Sequence, residues 1–392
     1  MDQRKKDRLA RLLDLRQEIV RSRRNQTNRR WWRDSVPWCR DMWRRIPRGN
    51  LKEGVPFVVA PDNSIWFHVF DMDLRQYYFD AYTHLEKQLK IDIYKFEQFN
   101  DDTYLDDHLF IWFGVITELT FFGIKPVFFE SREGWIEEPP LLENPQDLET
   151  LEPPDFLKSG LMPRIHQFYE EMSELVQGRC TIMFPDWARG PFCMAAHLRG
   201  LQNLLMDMIT EPEFVHQLMR FVTDARKEWC SQRSKFLNVP IQKGKLYNDE
   251  VDCPTLSPHM YREFILPYEQ ELSEFHGGIA YWHSCGNTTV FMEDIRKLLQ
   301  LEMFHVSPWG DLSKSVSVMS PEVVLDVNLD PLADVLQCDV ERMEVRLREI
   351  AATCGDVPYC VRADAFQVVH GLQRDLDKIK LWAQAARRVL HK

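Results

Sequence analysis

The chain has 392 residues, too many for one small core, and its 44% apolar and 28% charged content excludes a disordered, collagen-like or fibrous molecule. Its net charge is −11, yet residues 1–50 hold 16 Lys and Arg against 6 Asp and Glu, so a basic arm of +10 precedes a body of −21. No apolar run reaches the roughly 18 residues of a membrane span, and Met1–Arg24 lacks the apolar middle of a secretory signal, so no membrane association and a cytoplasmic address are expected.

In the arm, taken as residues 1–54, Leu9, Leu12, Leu13, Ile19 and Val20 recur at near-helical spacing among Arg, Lys and Asp, which predicts an amphipathic helix over Met1–Arg33. A basic helix suits nucleic acid, an acidic lipid surface, the acidic body or a second copy of the chain. No nucleic-acid reader motif accompanies it, so packing on the body or within a homodimer is expected, without a nucleic-acid partner. Next, Phe57–Ala60, the Pro61-Asp62-Asn63 turn signal and Ile65–Phe70 predict a β-hairpin. Tyr77–Leu89 reads as helix, Leu109–Phe122 as buried with its type open, and Pro126–Phe129 as a short strand. The Pro-rich acidic stretch Glu138–Pro154 reads as a linker or long surface connection.

Beyond residue 178 apolar runs alternate with helical segments. The runs are Cys180–Phe184, Lys245–Tyr247, Gly278–Trp282, Met303–Val306, Val323–Val327 and Val357–Val361. Helices are expected at His197–Met208, Glu213–Phe236, Pro258–Phe275, Thr289–Leu299, Asp334–Ala351 and Leu372–Leu390. Parallel neighbours need such crossovers, so the expectation is an α/β fold, a (β/α)8 TIM barrel over residues 55–392 whose first half, 55–178, is less regular.

In a parallel barrel the strand ends and following loops share one face. Just past the predicted strands stand Asp186 and Arg189; Asp249, Glu250 and Asp252; His283 and Cys285; Trp309 and Asp311; Asn328 and Asp330; then Cys360, Arg362 and Asp364. Nine cysteines without an export signal are candidates for metal binding or catalysis rather than disulfides. On an extended segment His283 and Cys285 face one side and can converge on an ion, although a buried cysteine beside a hydrogen-bonded histidine is the ordinary outcome. Cys360 offers a third soft ligand, and zinc with one imidazole, two thiolates and an open position is a catalytic arrangement. Asp249 and Glu250 are candidate catalytic groups, with helix capping the plain alternative. Trp187 and Trp309 would stack on a flat substrate if they are not core, while Asp186, Arg189 and Arg362 would bind substrate polar groups if they are not ion-paired.

These residues carry a resemblance. From about Cys180 onward the chain resembles the uroporphyrinogen decarboxylase superfamily and, within it, the zinc-dependent corrinoid-linked methyltransferases, through Pro191–Leu205, Tyr247–Leu272 and His283–Thr289. The resemblance implies a TIM barrel, Zn2+ held by His283, Cys285 and Cys360, and methyl transfer between a small methylated donor or thiol acceptor and a corrinoid (cobalamin). No corrinoid-binding motif is evident here, so a separate corrinoid protein is the expected partner. The arginine-rich motif of the decarboxylase proper is absent, with Val36-Pro37-Trp38 a faint echo. Two alternatives stand beside it: a metal-independent, decarboxylase-like lyase using Asp249 or Arg189 on a carboxylated substrate, and a non-catalytic scaffold with a binding arm.

Overall fold

Apolar runs of three to six residues, set between helices, become the strands β1 (Phe57–Ala60), β2 (His108–Phe110), β3 (Thr181–Met183), β4 (Gly244–Tyr247), β5 (Ile279–His283), β6 (Met303–Val306), β7 (Val324–Asn328) and β8 (Tyr359–Asp364). The computed structural model describes residues 2–33, 45–49, 52–130 and 132–392, so Val36-Pro37-Trp38 lies outside the described residues. Six strands pair in parallel in the order β1-β8-β7-β6-β5-β4, and β2 pairs in parallel with β3. Every residue of β1, β5, β6 and β7 is buried, as befits parallel strands covered on both faces.

No ladder among the described residues joins the two sheets into a ring. At one seam a single parallel bridge links Arg189, beyond β3, to Tyr247 of β4. At the other, side chains substitute for a ladder: the Phe57 and Val59 amides donate to the Asp102 and Asp101 carboxylates at 3.0 and 2.8 Å. No helix among the described residues is long and apolar enough to cross a membrane.

The expected hairpin at the start of the body does not form. Phe57–Ala60 is a strand, but Asn63–Phe70 is a helix, because the Asp62 carboxylate accepts the Ser64 amide at 2.8 Å and caps it. The six-residue run Ile65–Phe70 has no alternation that would tell a strand from a helix turn. The helix expected at Tyr77–Leu89 is two, Leu74–Phe79 and α2 (Ala81–Phe99), divided where Asp80 caps the second. Helix expected at Pro258–Phe275 contains a π-helical turn, Tyr261–Ile265, followed by Pro267, whose missing N–H interrupts the regular bonding. The 3-10 turn Pro145–Thr150 lies inside the expected linker.

The arm folds as the helices α1 (Gln3–Arg21) and Arg23–Arg29. Leu9, Leu13 and Ile19 are buried where α1 packs along α2. Its buried Arg16 donates to the Asp92 carboxylate at 2.8 Å and to the carbonyls of Asp106 and His108 at 2.5 and 2.9 Å.

Candidate active site

The carboxyl ends of β4 and β5 bring three polar side chains together. Tyr247 and His283 are register partners, so the turn after β4 (Asn248-Asp249) lies against the turn after β5 (Ser284-Cys285-Gly286). The two are laced: the Asn248 amide donates to the His283 carbonyl at 2.7 Å, the Ser284 hydroxyl to the Val251 carbonyl at 2.9 Å, and the Cys253 amide to the Asn287 carbonyl at 2.9 Å. Gly286 is required here, because a Cβ would collide with the Asp252 side chain.

Asp249, His283 and Cys285 each direct one ligand-type atom into a space where all three lie within 4.8 Å of one another. His283 Nε2 is 3.3 Å from the Cys285 sulfur and 3.2 Å from Asp249 Oδ1, which also accepts the Cys285 amide at 3.3 Å. Burial would raise the Asp249 carboxyl, but the neighbouring charge and hydrogen bond of His283, with Arg189 behind, hold it far below the usual carboxylate range. An ionised carboxylate, an imidazole nitrogen and a sulfur this close repel unless a proton or a cation lies among them.

Beneath the cluster a chain of contacts orients the imidazole. His283 Nδ1 faces the Tyr281 hydroxyl at 3.5 Å, and that hydroxyl donates to Asp326 Oδ2 at 2.8 Å. Asp326 is also bonded by Arg362 Nε at 3.0 and 3.1 Å to its two oxygens. A tyrosine that donates to Asp326 can accept from Nδ1–H, while Nε2 faces Asp249 and Cys285 and donates to Asp249 when it carries a proton.

The cluster opens into a cleft of about 490 Å³ lined also by His305, Trp309, Asn328, Arg362, Asp364 and Glu133. Sequence reasoning passed over His305 and Glu133. His305 is buried in β6 beside His283, ring centres 4.1 Å apart, with Nδ1 2.7 Å from the Ser284 carbonyl. Glu133 lies in a loop with no motif around it; burial and the neighbouring Asp62 push its carboxyl up to about 7, while Asn63 donates to it at 2.6 Å.

The remaining expected residues divide. Trp309, 62% exposed, stands on the cleft rim. Arg362 lines the cleft but is fully buried and paired with Asp326. Asp186 faces a neighbouring cavity. Trp187 is not brought to the site: it packs edge-on against Phe121, Phe122 and Trp229 in the core. Glu250 turns away from the cluster toward His197 Nε2 at 2.8 Å and Arg189 at 3.8 Å, and Arg189 also donates to the Val115 carbonyl at 2.8 Å. Cys360 is not in the three-residue cluster; its side chain points to Asp326 Oδ1 at 3.3 Å, because it sits two residues before Arg362 on β8 and so one layer deeper.

A family model described as uroporphyrinogen decarboxylase (URO-D) matches residues 72–360. A methylated-thiol–coenzyme M methyltransferase of Methanosarcina mazei is 24% identical over 165 residues, which cover 40% of this chain and 41% of that protein. The chain thus spans less than half the length of that curated relative. Among solved structures, a methyltransferase from Methanosarcina mazei superposes with a TM-score of 0.61 at 15% identity, covering 86% of this chain and 95% of that one, a likeness of fold.

Proposed function

The chain belongs to the uroporphyrinogen decarboxylase family, and from that premise we propose that it is a zinc-dependent methyltransferase moving a methyl group between a small methylated donor or thiol acceptor and a corrinoid on a partner protein. The fold reading that goes with it is a closed eight-stranded barrel, supported by the eight parallel strands and the hydrogen bonds across both seams.

The observation that carries the proposal is the convergence of Asp249, His283 and Cys285. Oxygen, nitrogen and sulfur donors of these types fit zinc, and a cation relieves the repulsion among them. His283 and Cys285 are the ligands the resemblance implies, and Asp249 takes the place it gave to Cys360. Zinc bound there supplies Lewis acidity that keeps a thiol sulfur deprotonated or draws charge from a departing heteroatom.

The protein's own groups do the rest. Tyr281 and Asp326 hold His283 with Nε2 toward the cleft. Asp249 fixes the Cys285 turn through the backbone amide. Glu133, with its carboxyl near neutrality, holds or releases a proton at the cleft wall. Of the two groups the lyase alternative offers for a substrate carboxylate, Arg189 is engaged by Val115 and Glu250, and Asp249 is itself a carboxylate held ionised.

Elemental analysis of purified variants tests the site. Near-stoichiometric zinc is expected in wild type and in Cys360→Ala, and its loss in Cys285→Ala and Asp249→Ala. Methyl transfer to reduced cobalamin, followed by visible spectroscopy, should parallel the metal content. Zinc retained in Cys285→Ala would remove the basis of the proposal.

A further inference from the structure

The residues that alternate with the proposed ligands point the other way. Along β4, β5 and the turn after β4, Tyr247, Asp249 and His283 face the cleft, so Asn248 and Trp282, one position off, face the surrounding helices. Both are fully buried, and both reach the same group, Glu269 on the helix Leu266–Phe275. Its Oε1 accepts the Asn248 side-chain amide at 2.8 Å, and its Oε2 accepts Trp282 Nε1–H at 3.1 Å and the Tyr261 hydroxyl at 2.7 Å. Asn248 comes immediately before Asp249 in the chain and Trp282 immediately before His283, so one carboxylate is tied to both halves of the cluster. Asn248 completes the tie, since its backbone amide donates to the His283 carbonyl at 2.7 Å.

A regular helix would not assemble this clamp. Tyr261 and Glu269 are eight residues apart, and eight residues of α-helix leave the last roughly 80° round the axis from the first. The π-helical turn Tyr261–Ile265 holds more residues per turn, takes up that offset and puts both side chains on one face. The carboxylate is also costly. Glu269 is fully buried, and no salt bridge among the described residues reaches it. Burial pushes its carboxyl up to about 7, against which the Tyr261, Trp282 and Asn248 donors favour the ionised form. An apolar side chain of the same length would fill the space without the desolvation cost. It would give Asn248 and Trp282 no fixed direction.

We infer that Glu269 is a positioning residue for the metal centre: through Asn248 and Trp282 it fixes the separation of the turns after β4 and β5, and so holds Asp249 at ligand distance from His283 and Cys285. This role rests on the metal centre proposed above, which Glu269 itself does not touch. A brace with no bearing on that centre would change melting temperature and leave metal binding as it was.

Zn2+ affinity by chelator competition, visible spectra of the Co2+-loaded full chain and melting temperatures test it across wild type, Glu269→Met, Glu269→Gln and Leu272→Ala. Leu272, buried on the same helix, is the control for lost packing alone. Glu269→Met should weaken Zn2+ binding by about tenfold or more and shift the Co2+ bands, which report coordination geometry. Glu269→Gln keeps an oxygen for Trp282 and Tyr261 and should return affinity toward wild type. Leu272→Ala should lower the melting temperature and leave affinity and bands unchanged. If Glu269→Met does not fold, Tyr261→Phe takes its place, removing one donor to Glu269 and weakening Zn2+ by about threefold. Wild-type affinity and bands in Glu269→Met, or in Tyr261→Phe where that replaces it, overturn the inference. So does Glu269→Gln binding no better than Glu269→Met, or equal weakening in Leu272→Ala. Metal that is lost in Cys285→Ala but indifferent to Glu269 sinks this role alone, whereas metal content that Cys285→Ala leaves intact sinks the proposed centre and this role with it.

Discussion

Asp326 lies at the centre of the strand interior, fully buried, with the Arg362 guanidinium, the Tyr281 hydroxyl and the Cys360 sulfur all directed at it. Replacing one member of such a pair strands the other's charge away from water. Asp326→Asn should lower unfolding free energy by about 3–5 kcal/mol, read by urea titration. Tyr281→Phe removes only the hydroxyl that orients His283. It should lower stability by about 1–3 kcal/mol, since the buried Asp326 carboxylate loses one of its donors, while weakening zinc binding by about 10–100-fold in a chelator competition. Unchanged affinity would mean that the imidazole is placed by packing alone. His283 and Cys285 were legible in the sequence because strand periodicity places residues two apart on one side. Asp326 was not, for an acidic residue inside the run Val323–Val327 reads as an interruption until its arginine partner, 36 positions away, is known.

At the scale of elements, the two turns that carry the cluster depend on close backbone approach. Gly190, just before the helix Pro191–Arg199, sits where a Cβ would run into the Asn248 side-chain amide. That amide donates to Glu269 at 2.8 Å, and the Asn248 backbone holds His283. Gly190→Ala should therefore lower both melting temperature and zinc content, whereas a substitution at Gly178, where a Cβ meets nothing, should affect zinc content not at all.

Helix α2 reaches the cleft through His84, whose Nδ1 lies 3.2 Å from the Tyr77 carbonyl and whose Nε2 accepts the Trp112 amide at 3.2 Å. Burial lowers its pKa to about 4. The unfolded chain takes up a proton near pH 6.5 and the folded one does not, so stability is lost as pH falls from about 6.5 to 4. The fully developed loss from His84 is about 3 kcal/mol, and His276, lowered for the same cause, adds to it in the same direction. Melting temperatures recorded between those pH values should fall less steeply for His84→Gln than for wild type. Parallel slopes would contradict the burial argument.

For the whole molecule, the basic arm is built into the fold. Arg16 is 2% exposed and satisfies one carboxylate and two backbone carbonyls at the entry to β2, while Trp32 Nε1 donates to the Asp102 carbonyl at 2.7 Å. The C-terminal segment packs nearby, where the Val55 amide donates to the Leu390 carbonyl and His391 Nε2 lies 2.9 Å from Asp102. Arg16→Ala should destabilise the protein by about 3–5 kcal/mol, through the stranded Asp92, with little dependence on salt because the pair is buried. An arm that served only as a nucleic-acid tether would show no loss of melting temperature.

Composition and periodicity by themselves determined the parallel α/β character, the approximate positions of β3 to β8, and the pairing of His283 with Cys285. Each depends on local spacing along one segment. Only the tertiary structure decided that Asp249 rather than Cys360 joins that pair, that Trp187 and Glu250 face away, and that Ile65–Phe70 is helix. The physical reason is one of depth. A strand's sequence says which face a side chain takes, but how far it stands from the mouth is set by register with neighbours that the sequence places many residues away.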